Sequence, residues 1–128
     1  LDDFEPTSYV ITAVNDDRAV ALREAKHQIA FYATVGTYDI ILDLHGFEEQ
    51  KRAVRDAFKT IDIPRMVDAV TDDMVEAMAI AGTPDECREQ LARYEGIIDL
   101  PLLYSPSFGL PPERVVDNLD TIIRTFAC

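Results

Sequence analysis

Short apolar runs alternate along the chain with longer amphipathic stretches, and this pattern predicts strands that alternate with helices. Ser8 to Val14 is rich in β-branched and aromatic residues, which predicts a strand, and helix-capping residues follow it directly. The apolar run Ala79 to Gly82 predicts a second strand and Leu102 to Tyr104 a third. The whole run is Ile97 to Tyr104, interrupted by Pro101, and proline inside a strand demotes it or marks an edge or a start, so Leu102 to Tyr104 is predicted as the strand proper.

Helices follow from apolar residues spaced three and four apart. The predicted helices run from Asp17 to about Gly36, Glu48 to Phe58, Asp72 to Met78, Thr83 to Tyr94, and from Pro111 towards the C-terminus. Tyr38 to Leu44 fits a strand or a helix by periodicity, and a short helix is favoured because its apolar residues share a face. Pro64 predicts a break, and Ser105 to Gly109 predicts a loop.

The apolar positions also predict which helix faces turn inward. In the first helix the inward residues are Val20, Ala21, Ala25, Ile29 and Phe31 to Ala33, and in the short helix they are Ile40, Ile41 and Leu44. In the helices that begin at Glu48 and Asp72 they are Val54, Ala57 and Phe58, and Met74, Val75 and Met78. In the last helix they are Val115, Val116, Leu119, Ile122, Ile123 and Phe126.

The junction after the second strand has strong local signals. Gly82 allows a sharp turn, Thr83 is a preferred N-cap, and Pro84 stands where a missing N–H costs nothing. Glu86, three residues after Thr83, completes a capping box, and its charge complements the helix dipole. The sequence therefore predicts a tight strand-to-helix turn here.

Composition narrows the function classes. The 128 residues suffice for one domain, and the net charge of −12 argues against nucleic acid or an anionic membrane as partner. No signal peptide or long apolar run is present, so a cytoplasmic protein is predicted, and the start without methionine suggests a mature or truncated product. Cys87 and Cys128 form no disulfide framework, and His27 and His45 suggest no metal site. Cys87 is interpreted as a buried packing residue, although a helix start can also activate a thiol.

Strands separated by helical segments predict a parallel α/β fold with right-handed crossovers. Ile80 to Leu91 resembles the A-G-T-P-(D/E)-E signature near the C-terminus of luciferase-like monooxygenases, in particular the branch that depends on the deazaflavin coenzyme F420. Tyr9 to Asp17, the Ala30 to Ala33 helix end followed by Tyr38, and Pro111 to Leu119 also fit. The resemblance covers about Ser8 to Phe126.

This resemblance implies the C-terminal part of a TIM (β/α)8 barrel, so residues 1–128 are expected to be a single domain or a fragment of that barrel. It implies an oxidoreductase that uses coenzyme F420, or alternatively FMN, for hydride transfer with a small organic substrate. No catalytic residue can be carried over, because the matching positions are structural. The alternative is a non-catalytic α/β module that completes its fold by oligomerisation or partner binding. The expected partners are a small-molecule substrate and either a second copy of the chain, in a homo-oligomer, or the missing part of the barrel.

In a β/α barrel the carboxyl ends of the strands face the active site. The candidates there are Asn15 and Asp16, Gly82 and Thr83, and Ser105 to Phe108. Backbone N–H groups at Gly82 and Thr83 could bind a cofactor phosphate, unless the capping box already uses them.

Other side chains suggest contacts with a substrate. Phe31, Tyr32 and Tyr38, with Ser105, are predicted to bind it, and core packing is the alternative for the aromatic rings. His45 and Asp99 are an acid–base pair only if the fold brings them together.

Overall fold

The computed structural model describes residues 7–93 and 100–126. Within these ranges, three strands and seven α-helices follow one another. They are β1 (Thr7–Val14), α1 (Arg18–Ala33), α2 (Asp39–Leu44, preceded by a 3-10 turn at Gly36–Tyr38), α3 (Glu48–Phe58), α4 (Ile63–Asp68), α5 (Asp72–Met78), β2 (Ala79–Gly82), α6 (Pro84–Ala92), β3 (Leu100–Tyr104) and α7 (Pro112–Phe126). The predicted helix end at Tyr94, together with Asp99 and Cys128, lies outside the described residues.

The three strands form one parallel sheet in the order β2-β1-β3. Ile11 to Val14 pair with Ala79 to Gly82, and Thr7 to Ile11 pair with Leu100 to Tyr104. The predicted parallel strands with crossover helices are therefore observed. Around a closed β/α barrel the strands follow one another in chain order. The described sheet differs from that order, because β3 lies beside β1 and not beside β2.

Helices cover both faces of this sheet. Ile11 and Ala13 face α1, onto which α3, α4 and α5 pack, whereas Val10 and Val14 face Cys87 of α6 and Ile122 of α7. The two crossovers run in opposite directions along the sheet. Right-handed connections that run in opposite directions place their helices on opposite faces, which explains the two layers.

Several element bounds follow from capping side chains. Asp17 accepts a hydrogen bond from the Ala19 N–H, and Thr71 accepts one from the Met74 N–H. These caps set the starts of α1 and α5, and the predicted bounds of α3 and α5 are confirmed. None of the described helices is long and apolar enough to cross a membrane.

Two predictions about proline are wrong. Pro64 does not break a segment but is the second residue of α4, whose N-cap Asp62 accepts from the Arg65 N–H. Proline is tolerated in the first helical turn because the backbone N–H there has no intrahelical partner. Pro101 lies within β3, paired with Ser8, and β3 is the last strand on its side of the described sheet, where proline is allowed.

Some predicted inner faces are also wrong. Ile40 and Leu44 are 79% and 81% exposed, and α2 instead buries Leu42. Phe58 is exposed on α3, and α7 buries Ile122 together with Asn118 and Thr125. Val20, Phe31, Ile41, Val116, Leu119 and Ile123 are exposed as well. The face that α7 buries carries polar residues because each has a hydrogen-bond partner, which offsets their burial.

The end of α3 has an unusual backbone. The Ile61 N–H bonds to Phe58 O at 2.9 Å and the Asp62 N–H bonds to Ala57 O at 3.1 Å, which is a Schellman motif. Ile61 takes the left-handed position with φ +52° and is 71% exposed. Glycine is the usual residue at this position, so a β-branched residue here is strained.

A side chain occupies the outer edge of β2. The Ala81 N–H donates to Gln90 Oε1 at 3.1 Å, and Gln90 Nε2 donates to the Ala81 carbonyl at 2.9 Å. One α6 side chain therefore satisfies both backbone groups of Ala81 that face away from β1.

Candidate functional site

The carboxyl ends of β1 and β2 meet, as the sequence predicts. The Asn15 N–H donates to the Gly82 carbonyl at 3.0 Å, which extends the pairing of these strands by one bond. The Asn15 side chain accepts from the Asp17 N–H at 2.9 Å and so shapes the turn into α1. Asn15 and Gly82 are therefore close together at this edge of the sheet.

The capping box at the start of α6 is complete. The Thr83 N–H donates to Glu86 Oε1 at 3.0 Å, and the Glu86 N–H donates to Thr83 Oγ1 at 3.4 Å. A Cβ atom at Gly82 would lie 2.9 Å from Glu86 Oε1, so that carboxylate fills the space that glycine leaves open. The Thr83 backbone bond, with Arg18 at 3.0 Å, lowers the pKa of Glu86. Cofactor binding by Gly82 and Thr83 stays a prediction.

The predicted aromatic residues lie together at the other end of α1. Tyr32 stacks on Tyr38 with ring centroids 4.5 Å apart, and its hydroxyl lies 2.5 Å from that of Tyr104. Phe31, 39% exposed, lies 5.2 Å from the Phe108 ring. Burial and the neighbouring Tyr32 raise the pKa of both Tyr38 and Tyr104, so these phenols stay protonated at neutral pH.

The two predicted parts of the site lie far apart. Arg18, which contacts Glu86, begins α1, and Tyr32 lies 14 residues further along the same helix. At 1.5 Å per residue this separates them by about 21 Å. The cofactor and substrate residues predicted from the sequence therefore do not line one small pocket in the described chain.

The connection between β3 and α7, residues 105–111, is hereafter the strap. Ser105 is buried, and its hydroxyl donates to the Pro106 carbonyl at 2.9 Å. Gln28 Oε1 accepts from the Ser107 N–H at 2.9 Å and from the Phe108 N–H at 3.3 Å. The strap is thus attached to α1 by one side-chain oxygen.

An ion pair fixes α7 to α1 just beyond the strap. The Arg114 guanidinium donates to both carboxylate oxygens of Glu24, from Nε to Oε2 at 2.8 Å and from Nη2 to Oε1 at 2.9 Å. The Asn118 amide also donates to Glu24 Oε1, at 3.2 Å. The Glu24 side chain is 8% exposed, and these partners compensate its burial. The Glu24 bond raises the pKa of Arg114, in agreement with a bidentate pair.

Sequence reasoning did not select Glu24 or Gln28, although a signal for them exists. Both lie on the stripe of α1 that buries Ala21, Ala25 and Ile29, at helical spacing from these residues. A polar residue on a buried stripe needs a partner, and such positions mark where another segment is attached.

The remaining sequence candidates have simple environments. Cys87 is fully buried, its sulfur lies 3.6 Å from the Gly82 carbonyl, and burial raises its pKa to about 12, which confirms packing. His45 is exposed and stacks on Phe47. The predicted partner Asp99 lies outside the described residues. Residues 7–93 and 100–126 contain no group of three or more potential metal ligands.

Comparisons of the sequence with known proteins find one family and three related reductases. The luciferase-like monooxygenase family matches residues 1–99. The 5,10-methylenetetrahydromethanopterin reductases of Methanopyrus kandleri and Archaeoglobus fulgidus are each 30% identical, over 66% and 70% of this chain. That of Methanolobus tindarius is 29% identical over 77%. The matches cover 24%, 28% and 29% of these relatives, so the chain spans about a quarter of their length.

A solved structure shares the fold. The coenzyme F420 dependent tetrahydromethanopterin reductase from Methanopyrus kandleri matches 92% of this chain and 34% of its own chain, with a TM-score of 0.73 and 22% identity. The match confirms the predicted fold class, part of a luciferase-like β/α barrel.

Proposed function

The chain belongs to the luciferase-like monooxygenase family, and we propose that it forms part of a coenzyme F420-dependent oxidoreductase acting on a small organic substrate. One observation carries this proposal: three curated relatives are reductases of the same name, and the reductase with this fold is F420 dependent. FMN is the alternative cofactor. A bound deazaflavin would supply hydride transfer, while the protein supplies binding and orientation.

The strand ends fit an anionic cofactor group poorly as they stand. Glu86 occupies the Thr83 N–H, and Asp85 adds negative charge in the first turn of α6. An anion at Gly82 and Thr83 would therefore have to displace the Glu86 carboxylate. We expect most cofactor contacts from the parts of the relatives that this chain does not cover.

The aromatic end of α1 supports the proposed substrate contacts better. Phe31 and Phe108 present a partly exposed pair of rings, and Tyr32 and Tyr38 stack behind Phe31. Such a surface can pack against a planar substrate ring. In this proposal Phe31 contacts the substrate, Tyr32 and Tyr38 support it, and Ser105 fixes the start of the strap.

Cofactor titration tests the proposal directly. Coenzyme F420 and, separately, FMN are added to the purified protein, and the fluorescence of each cofactor is followed. We expect tighter binding of F420. Glu86→Gln should tighten it further if Gly82 and Thr83 hold an anionic group, because the variant removes a competing charge. Glu49→Gln, at an exposed position in the first turn of α3, is the matched control.

A chimera tests the same proposal with the missing parts supplied. In it, this chain replaces the matching third of the Methanopyrus kandleri reductase. We expect the chimera to retain F420-dependent reduction. A chimera that has the parent's circular dichroism but binds no F420 would refute the proposal.

Exposed helix faces favour a second function, a non-catalytic module that associates with another copy or with a complementary barrel part. Val116, Leu119 and Ile123 form one apolar stripe on α7, and Ile40 and Leu44 form another on α2. Apolar stripes of this kind mark interaction surfaces in soluble proteins. Light scattering distinguishes the two functions: a stable dimer that binds neither cofactor supports the module.

A further inference from the structure

One face of α1 contacts the middle of the strap, residues 107–109, and Arg114 just beyond it. Glu24, His27, Gln28 and Phe31 have the spacing i, i+3, i+4, i+7, which places them on one side of the helix. Their partners, in the same order, are Arg114, Gly109, Ser107 with Phe108, and Phe108. The strap therefore runs antiparallel to α1.

Two neighbouring side chains of α1 contact the strap: Gln28 through hydrogen bonds and His27 through close packing. Gln28 Oε1 accepts both strap N–H groups named above and also lies 3.4 Å from the Ser107 hydroxyl. His27 lies against Gly109, where a Cβ atom would be 2.9 Å from His27 Nδ1 and 3.2 Å from an Ile63 methyl group. Gly109 has φ +72°, so both its conformation and its contact favour glycine. The histidine and the strap are therefore closely packed.

His27 Nδ1 is buried and has no hydrogen-bond partner among the described residues. The charged groups that face the ring are Arg23 and Glu24 of α1. Arg23 is bound to Asp68 of α4 at 3.0 Å, and Glu24 is bound to Arg114 of α7. The Glu24 charge is thus already compensated by Arg114. Protonation of His27 would place a positive charge near Arg23 and against Gly109, and the Phe108 backbone and the paired Glu24 would stabilise that charge only in part.

We propose that the strap is a releasable segment, held on α1 while His27 is neutral and released when His27 is protonated. Release separates Gly109 from the ring and Ser107 and Phe108 from Gln28, while the Arg114–Glu24 pair keeps α7 attached. The release does not depend on any cofactor. Its use as regulation of substrate binding, through Ser105 and Phe108, rests on the proposed function.

Electrostatics give the direction of the effect. Burial and the Arg23 charge lower the pKa of His27 below its ordinary value of 6.5, and the Phe108 backbone and Glu24 oppose this less strongly. In the released form the pKa returns towards 6.5, so the released form binds the proton better. The strap is therefore fully bound to α1 at pH values above 6.5, and it is released as the pH falls through the lowered pKa of His27.

Nuclear magnetic resonance of the full chain tests this proposal without any cofactor. The backbone amide signals of Ser107, Phe108 and Gly109 and the imidazole signals of both histidines are followed from about pH 8 to 5. We expect the strap amides and His27 to share one midpoint below 6.5. Amide exchange in the strap should rise by up to about tenfold for each pKa unit restored on release, after correction for intrinsic exchange.

Two variants and one control make the outcome decisive. His27→Gln should abolish the strap transition, Gln28→Ala should move its midpoint towards 6.5 because release becomes easier, and His45→Gln should change neither. Strap signals that stay constant while His27 titrates in the wild-type chain would overturn the proposal, even if a variant fails to fold. A transition that persists in folded His27→Gln would overturn it too.

Discussion

Ile61→Gly should stabilise this protein, although it removes an apolar side chain. Ile61 holds the left-handed position of the Schellman motif that ends α3, with φ +52°. A left-handed conformation costs a residue with a Cβ roughly 1–2 kcal/mol, and β-branching places isoleucine near the upper value. Glycine has no such cost, so the substitution relieves strain without changing the two capping hydrogen bonds.

Two opposing effects set the size of the gain. Glycine has more conformational freedom in the unfolded chain, and this reduces the gain in stability by roughly 0.4–1 kcal/mol. Ile61 is 71% exposed, so removing its side chain forfeits only about 0.6 kcal/mol of burial. The remaining gain is about 0.7 kcal/mol, which corresponds to a rise in Tm of roughly 3 °C for a domain of this size.

Urea denaturation followed by circular dichroism measures this change. The midpoint should rise with an unchanged slope, which would show a gain in stability without a change in the surface exposed on unfolding. Lys59→Gly is the matched control, because Lys59 has a right-handed φ of −56° and should lose roughly 0.5–1 kcal/mol on the same substitution. If Ile61→Gly destabilises the protein as much as Lys59→Gly does, the backbone argument is refuted.

Three further predictions concern contacts described above. Thr83→Ala should cost about 1 kcal/mol through loss of the N-cap, with Thr83→Ser retaining most of it; an unchanged Tm would show that Thr83 is not the cap. Arg114→Leu should cost about 2 kcal/mol in urea denaturation, because the buried Glu24 carboxylate keeps Asn118 but loses its charged partner, and the double variant with Glu24→Leu should recover most of it; an equal loss in the single and the double variant would contradict this. The Cys87 thiol, whose pKa burial raises to about 12, should stay protonated at pH 8. In a Cys128→Ser variant, Cys87 should therefore react with a thiol reagent only as fast as the protein opens locally. Rapid reaction of the folded protein would contradict the burial of Cys87.

Local chemistry explains why much of the fold could be predicted from the sequence. The predicted bounds of α3, α5 and β2 agree with the structure. Thr83 forms a side-chain cap at the predicted place, because the hydrogen bonds of a capping box depend only on residues within the same turn. Pro64 and Pro101 were misread because the effect of proline depends on its position: the first turn of a helix and an outer strand both tolerate it.

Long-range contacts explain what the sequence could not provide. The apolar stripe of α7 predicts a buried face that includes Leu119, yet the structure buries Asn118, whose partner Glu24 is 94 residues away. Which face of a helix turns inward depends on such partners, and periodicity does not contain them. In the same way, Tyr32 and Tyr104 meet because β3 pairs with β1 and not with β2, and no local signal specifies that order.

The contact between Gln90 and Ala81 has a consequence for how this sheet can grow. An open strand edge is a template on which another chain can add a strand, and proteins that leave such edges bare tend to aggregate. Gln90 imitates the missing neighbour, since one amide group fills both the donor and the acceptor position of a strand. An incoming strand would have to displace this side chain before it could pair at Ala81, so α6 protects the β2 edge of the described sheet until another strand replaces Gln90.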